Sequence, residues 1–179
     1  MENEFKTIQK KQKNSRQLCD MWTLWAHLPH DTNWGFDSYI NITSFNNLED
    51  CINLVESISS NDKLIKECML FFMKNNIKPL WEDEQNKNGS CFSYKLNTKY
   101  VIKAWKLLIY SIIGNNISND TSFYKSISGI SISPKKNFCI LKIWMSNCNY
   151  QNISVINIKP LNNDYYGLVK DNCIYKKHG

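Results

Sequence analysis

The apolar residues of this chain change period along its length, and that change limits the fold more than any other feature. MWTLWAHL, from Met21 to Leu28, alternates apolar residues as a strand does, and a second strand-like stretch runs from Trp34 to Ile42 after the polar loop His30 to Asn33. The pattern then becomes helical. Leu48, Cys51, Ile52, Val55 and Ile58 recur at helix spacing behind Asn46 or Asn47, either of which can act as the cap, with Glu49 and Asp50 favourably placed in the first turn. Phe71 to Lys74, the pair Asn75-Asn76 and Ile77 to Glu84 read as a hairpin, because asparagine tolerates the positive φ of tight turns. After the polar loop Gln85 to Ser90 comes a strand, Cys91 to Leu96. Thr98 then caps a long helix ending at Gly114, with Val101, Ala104, Trp105, Leu108, Ile109 and Ile112 on its apolar stripe. Ser126 to Ser133 and Phe138 to Trp144, joined by Pro134 to Asn137, form another hairpin, and Tyr165 to Tyr175 is a candidate last strand. Strands joined by hairpins and interrupted by two helices predict an α+β domain: an antiparallel sheet covered by helices on one face, its other face free for a ligand.

With 179 residues, 42% hydrophobic and 21% charged, the chain matches one ordinary globular domain. Residues 1–18 are polar, basic and aperiodic, and are expected to form a flexible tail ahead of a single domain over 19–179. The longest near-continuous apolar run, Leu107 to Ile113, falls well short of the roughly 20 residues of a membrane span, and the N-terminus has no signal-peptide apolar region. A cytoplasmic protein without a membrane partner is expected. The seven cysteines are odd in number and dispersed without a CxxC pair, which predicts reduced thiols and no zinc site. A net charge of +6 favours a polyanionic partner.

Six tryptophans are many for this length, and core packing accounts for most of them: Trp105 lies on the helix stripe, and Trp22 and Trp25 in the opening strand. Trp34 and Trp81 differ. Trp34 follows the loop HDTN and precedes Gly35, while Trp81 is followed at once by Glu82, Asp83 and Glu84. Two exposed indoles beside an acid suggest recognition of a nucleobase. A metal-dependent nucleotide-processing centre built on Glu82, Asp83 and Glu84 with His27 or His30 is disfavoured, because adjacent acids on a strand diverge and the histidines lack ligand spacing. There is no Gly-rich phosphate loop and no recognisable nucleophile motif, so no catalytic residue, metal or cofactor is assigned.

The stretches WTLWAHL, TNW, NLED, IKPLWEDEQNKNG, AWKLLIYSIIG and KIW resemble, in order and spacing, the eukaryotic translation initiation factor 4E family of mRNA cap-binding proteins. All six tryptophans fall on tryptophan positions of that family, and the likeness runs from about Met21 to Trp144. It implies a curved antiparallel sheet with helices on the convex face and a cap-binding slot on the concave face. Trp34 and Trp81 would sandwich the 7-methylguanine, Glu82 would accept hydrogen bonds from its N1 and exocyclic amino groups, and Trp144 would lie near the N7 methyl.

For the cap phosphates the resemblance points to Lys135, Lys136 and Asn137, with Lys142 as a substitute. The chain departs from the pattern here: Ile140 and Cys91 stand where the family has a lysine and an arginine. On the convex face Leu48, Ile52, Lys106 and Leu107 would meet a scaffold of the initiation factor 4G type, with Ile52 replacing a tryptophan and Lys106-Leu107 a Leu-Glu pair. Those changes imply a co-evolved scaffold. The function implied is binding capped mRNA and promoting translation initiation through that scaffold; the alternative is a cap-binding repressor that recruits none. Heavy use of lysine, asparagine and isoleucine, with Arg16 the only arginine, fits an A+T-rich genome such as that of a large DNA virus or a parasite, in the first case acting in host cytoplasm.

Overall fold

A computed structural model of the chain describes residues 15–160 and 164–178. Seven strands, β1 (Gln17–His27), β2 (Tyr39–Asn47), β3 (Met69–Lys74), β4 (Ser90–Asn97), β5 (Ile127–Pro134), β6 (Phe138–Met145) and β7 (Cys173–Lys177), form one curved antiparallel sheet in the order β2-β1-β3-β5-β6-β4-β7. Four helices accompany it: α1 (Leu48–Ser59), α2 (Asp62–Glu67), α3 (Val101–Ile113) and α4 (Thr121–Lys125).

The period-2 alternation sorts the two faces of the sheet. Trp22, Leu24, Leu70, Phe72, Ile130, Leu141 and Phe92 point to the helix side and are fully buried, with Trp22 stacked on Phe72 at 4.9 Å and 16°. Cys51, Val55 and Ile58 of α1, with Ala104, Trp105, Leu108 and Ile112 of α3, close the other side of this core. Each such large side chain contributes roughly 1.5–3 kcal/mol by leaving water. Asn47 is the cap of α1, its side chain accepting from Asp50 N–H at 2.8 Å. At the long helix the cap lies one residue earlier than Thr98: Asn97 accepts from Lys99 N–H at 3.0 Å and starts a 3-10 turn that feeds α3.

Among the described residues Lys74 is buried at the edge of this core. The ammonium of Lys74 lies 3.3 Å from the Asp20 carboxylate and 4.1 Å from the Tyr124 ring centroid, and Tyr124 Oη–H donates to Asp20 at 2.8 Å. Burial raises the Asp20 carboxyl, but bonds from Asn75 and Tyr124 and the charge of Lys74 outweigh it and hold its pKa below the ordinary value. The cluster ties β1, β3 and α4 together.

Several local expectations are corrected. Trp34 is not in a strand, because β2 begins only at Tyr39 after a 3-10 turn over Phe36–Ser38. Ile77 to Glu84 do not pair back on β3; both edges of β3 are taken by β1 and β5, and the segment is loop. Pro79 lacks an N–H for a ladder, and side chains of Asp83 and Asn86 bond the local backbone instead. The last strand is Cys173–Lys177, and α2 and α4 are too short to impose a period on the sequence. Trp25 faces the side opposite Trp22, so only one of these two indoles joins the main core. The sheet begins at Gln17, inside the stretch expected to be tail, and residues 1–14 lie outside the described residues. All seven cysteines are free, and no described helix is long and apolar enough to cross a membrane.

Candidate ligand slot on the concave face

Away from the helices, the sheet carries a second and smaller aromatic layer: Phe71, Met73 and Trp144, with Trp25, Tyr39, Met69 and Ile77 packed on them. Trp144 is its floor, only 7% exposed, donating Nε1–H to Ser131 Oγ at 2.9 Å and meeting the edge of Phe71 at 6.3 Å. The helices' buried residues belong to the larger core on the other face, and the β1–β2 and β3–β4 loops flank this layer through Tyr39 and Ile77.

The β1–β2 loop is held by its own short polar side chains. Asp31 accepts from Asn33 N–H at 2.9 Å, Asn33 Oδ1 accepts from Gly35 N–H at 2.8 Å, and the Asn33 amide donates to the Asp37 carboxylate at 3.2 Å. These bonds present Trp34. Its indole lies flat on the buried His27 imidazole, centroids 4.3 Å apart and planes 4° apart, and is nonetheless 56% exposed. His27 is fixed in turn by a bond between Nε2 and the Asn33 carbonyl at 2.8 Å. An indole with one face backed and so much surface in water is a prepared stacking platform.

The β3–β4 loop presents Trp81, 52% exposed. Asn75 and Asn76 take positive φ at its start. Asp83 accepts from Lys78 N–H at 3.2 Å and Gln85 N–H at 2.9 Å, and the Asn86 amide donates to the carbonyls of Lys78 and Leu80 at 3.2 and 2.7 Å. Gly89 closes the loop against β6 where a Cβ would collide with the Met145 carbonyl oxygen. Lys78 lies 4.7 Å over the Phe36 ring, which packs on Trp25, so the two loops are braced against each other.

Of the three acids after Trp81, each has a different situation. Asp83 is spent on the loop, and Glu84 pairs with Lys87 at 2.7 Å. Glu82 is exposed, and its charge helps burial to raise the Tyr39 phenol pKa, which brings Glu82 within electrostatic reach of the slot wall. Among the described residues no group of three or more His, Cys, Asp or Glu side chains is placed to hold a metal ion.

The other residues picked out by sequence fall in separate places. Lys135, Lys136 and Asn137 are exposed in the β5–β6 turn, where Lys135 N–H donates to the Phe138 carbonyl at 2.8 Å. Lys142 is closer to the slot, its ammonium 6.0 Å from the Trp144 ring centroid. Leu48 and Ile52 line a convex groove of about 470 Å³ with Leu18, Tyr110 and Ile113. Lys106 and Leu107 line an adjoining cleft with Lys103, Lys159 and Tyr166, and Tyr110 is shared by both. Lys106 is paired with Glu56 at 2.7 Å, and Glu56 also accepts from Tyr110 Oη–H at 2.9 Å.

Sequence reading missed His27 under Trp34, Tyr39 beside Glu82, and His178, whose ring packs 5.2 Å from Trp144 while Nδ1 bonds the Asn86 carbonyl at 2.7 Å. Burial, opposed by the Asn86 bond and assisted by Lys142, pushes the His178 pKa down. His27 had a signal, an imidazole in strand register before the Trp34 loop. His178 had none, because its partners are distant in sequence.

A single helix-backed sheet with two half-exposed indoles on the loops beside its smaller aromatic layer has the make-up of a ligand-binding module that stacks a flat group. The family model of eukaryotic initiation factor 4E matches residues 17–178, and the chain belongs to that family. The match extends well past Trp144, where the sequence likeness had stopped. Among relatives, translation initiation factor 4E-2 of Schizosaccharomyces pombe is 26% identical over 136 residues, covering 74% of this chain and 54% of that protein. A 4E homolog of Acanthamoeba polyphaga mimivirus is 34% identical over 77 residues, 43% of this chain and 26% of its own. The chain thus spans about a quarter of one curated relative and about half of the other. In fold it is similar to the Ascaris suum eIF4E-3 crystallised with m7G cap, at TM-score 0.75, 19% identity and 93% coverage of both chains. It is also similar to Caenorhabditis elegans (C. elegans) eIF4E-3 in complex with the 4E-binding protein Mextli and cap analog, at TM-score 0.74, 21% identity and coverage of 92% and 94%.

Proposed function

We propose that this chain binds the 7-methylguanosine cap of mRNA by stacking the base between Trp34 and Trp81, and that it promotes translation initiation through a scaffold protein on its convex face. The observation that carries this reading is the pair of half-exposed indoles on two braced loops, one already stacked on His27. Methylation at N7 makes guanine cationic, so each indole face adds cation–π attraction to stacking, on the order of 1–3 kcal/mol. Glu82 accepts from guanine N1–H and the exocyclic amino group, adjacent donors that the other bases do not offer together. Trp144 supplies the floor near the N7 methyl. The relatives crystallised with m7G cap and with Mextli support the same ligand and a protein partner.

The protein holds its ligand and does not turn it over: Asp83 and Glu84 are engaged in the loop, and His27 serves as a platform. Residues 17–178 act as one cap-binding domain in the cytoplasm. On the convex face the apolar lining of the groove at Leu48, Ile52 and Ile113 favours a partner helix over the repressor alternative, which leaves that groove empty. Ile52 offers less area than an indole, and Leu107 offers no counter-charge, so the partner is a co-evolved scaffold of the initiation factor 4G type. Binding of 7-methyl-GTP but not GTP, measured by fluorescence quenching, tests the cap reading; tight capture by an ordinary host scaffold peptide would refute the co-evolved partner.

A further inference from the structure

The ring beneath Trp34 brings more to the slot than apolar area. His27, the last residue of β1, is only 2% exposed and lies flat under the indole at 4.3 Å and 4°. In the ladders it stands opposite Tyr39 of β2 and Met69 of β3, and the Tyr39 ring meets it edge-on at 5.1 Å. Nε2 bonds the carbonyl of Asn33, the residue directly before Trp34, at 2.8 Å. The imidazole therefore grips the indole twice, through the stack and through the backbone that carries it.

Its surroundings leave the charge of this ring uncompensated. Asp31 and Asp37 are exposed and accept from Asn33, and Glu82 acts on the Tyr39 phenol, whose pKa burial and Glu82 raise. Among the described residues no carboxylate pairs with the His27 ring. Histidine is the side chain that gains charge in the mildly acidic range. A neutral imidazole leaves the π density of Trp34 to the ligand, whereas a protonated one sets a cation against the inner face of the same indole. Protonation retains Nε2–H and with it the Asn33 bond, so the geometry stays while the electrostatics change. A cationic base at ordinary contact distance, about 3.5 Å, on the outer face lies roughly 8 Å from that charge. Like charges at this separation, partly screened, weaken binding by on the order of tenfold.

We propose that His27 is a positioning residue for the ligand: it fixes the plane of Trp34, and a proton on its imidazole competes with a cationic base for that indole. This rests on the cap reading above. By linkage, a ligand stacked on Trp34 makes His27 harder to protonate by the same factor by which the proton weakens the ligand.

The test titrates 7-methylguanosine, which has no phosphate to change charge, into the wild type, His27→Ala and His27→Phe at about pH 7.5 and about pH 5.5. Phenylalanine keeps a stacked ring but takes no proton. At the higher pH, His27→Ala binds about three- to tenfold more weakly than the wild type, and His27→Phe within about twofold of it. At the lower pH the wild type loses about tenfold more than His27→Phe does. Titration of the base, of Glu82 and of His178 is common to both proteins and cancels in that comparison. The wild type also gives a readout without any variant: followed by NMR, the His27 imidazole, identified by its contacts with Trp34, takes its proton at lower pH when 7-methylguanosine is bound. Wild-type affinity in His27→Ala at the higher pH, an equal acid loss in the wild type and His27→Phe, or an imidazole titration indifferent to the ligand overturns the proposal and leaves base recognition intact. Failure of the wild type to bind 7-methylguanosine at either pH overturns the cap reading and this proposal with it.

Discussion

The two faces of the sheet are built by different means. The concave slot depends on two loops whose short polar side chains fix their own backbone and hold Trp34 and Trp81 half in water over a buried floor. The convex face depends on two packed helices, and its groove is whatever surface α1 and α3 leave after burying Cys51, Val55, Trp105 and Leu108. A loop-held site reads out in short sequence motifs. A packed-helix surface drifts more easily, since an exposed position such as Ile52 can change without disturbing the core beneath it.

The largest effect that sharpens this contrast separates tryptophans by burial. Trp105→Ala empties a fully buried site and is expected to cost about 3–5 kcal/mol in denaturant unfolding. Trp34→Ala and Trp81→Ala should leave stability within about 0.5 kcal/mol, because neither indole is in the core. They should instead weaken 7-methyl-GTP binding by roughly 1–3 kcal/mol, about 5- to 150-fold by titration. Equal destabilisation by all three would mean that Trp34 and Trp81 are structural.

On the convex face, Ile52→Ala should weaken a cognate scaffold helix by about 1 kcal/mol and leave cap affinity unchanged, checked by titrating each ligand separately. Glu56→Ala removes a partly exposed pair with Lys106 and should cost under about 1 kcal/mol of stability. The smallest effect concerns pH. The folded pKa of His178 lies below its ordinary value, so the contribution of its docking is fully present above about 6.5 and is lost as pH falls through the folded value. Protection of the β7 amides relative to their intrinsic exchange rates should therefore fall between neutral and mildly acidic pH, and His178→Ala should flatten that dependence; β7 protection indifferent to pH in the native chain would contradict it.

Much of the fold was legible because alternation and helix stripes survive in single stretches: β1, β4, β5, β6 and the two long helices all follow from local period. The Ile77 to Glu84 segment misled because its apolar residues alternate by chance, while Asp83 and Asn86 commit the backbone to turns. The exposed setting of Trp34 and Trp81 was legible as a motif, each indole sitting in a polar loop. The surroundings of the slot floor were not: His178 against Trp144 and Tyr39 within reach of Glu82 come from segments distant in sequence, which no local pattern encodes.

The measurement that tests the central claim most directly is tryptophan fluorescence quenching by 7-methyl-GTP against GTP, on this protein and on Trp81→Ala. Strong quenching by the methylated nucleotide alone, moved to about 5- to 150-fold higher concentration in the variant, is the expected result. Equal quenching by both nucleotides, or none by either, would contradict recognition of the cap by the Trp34–Trp81 slot.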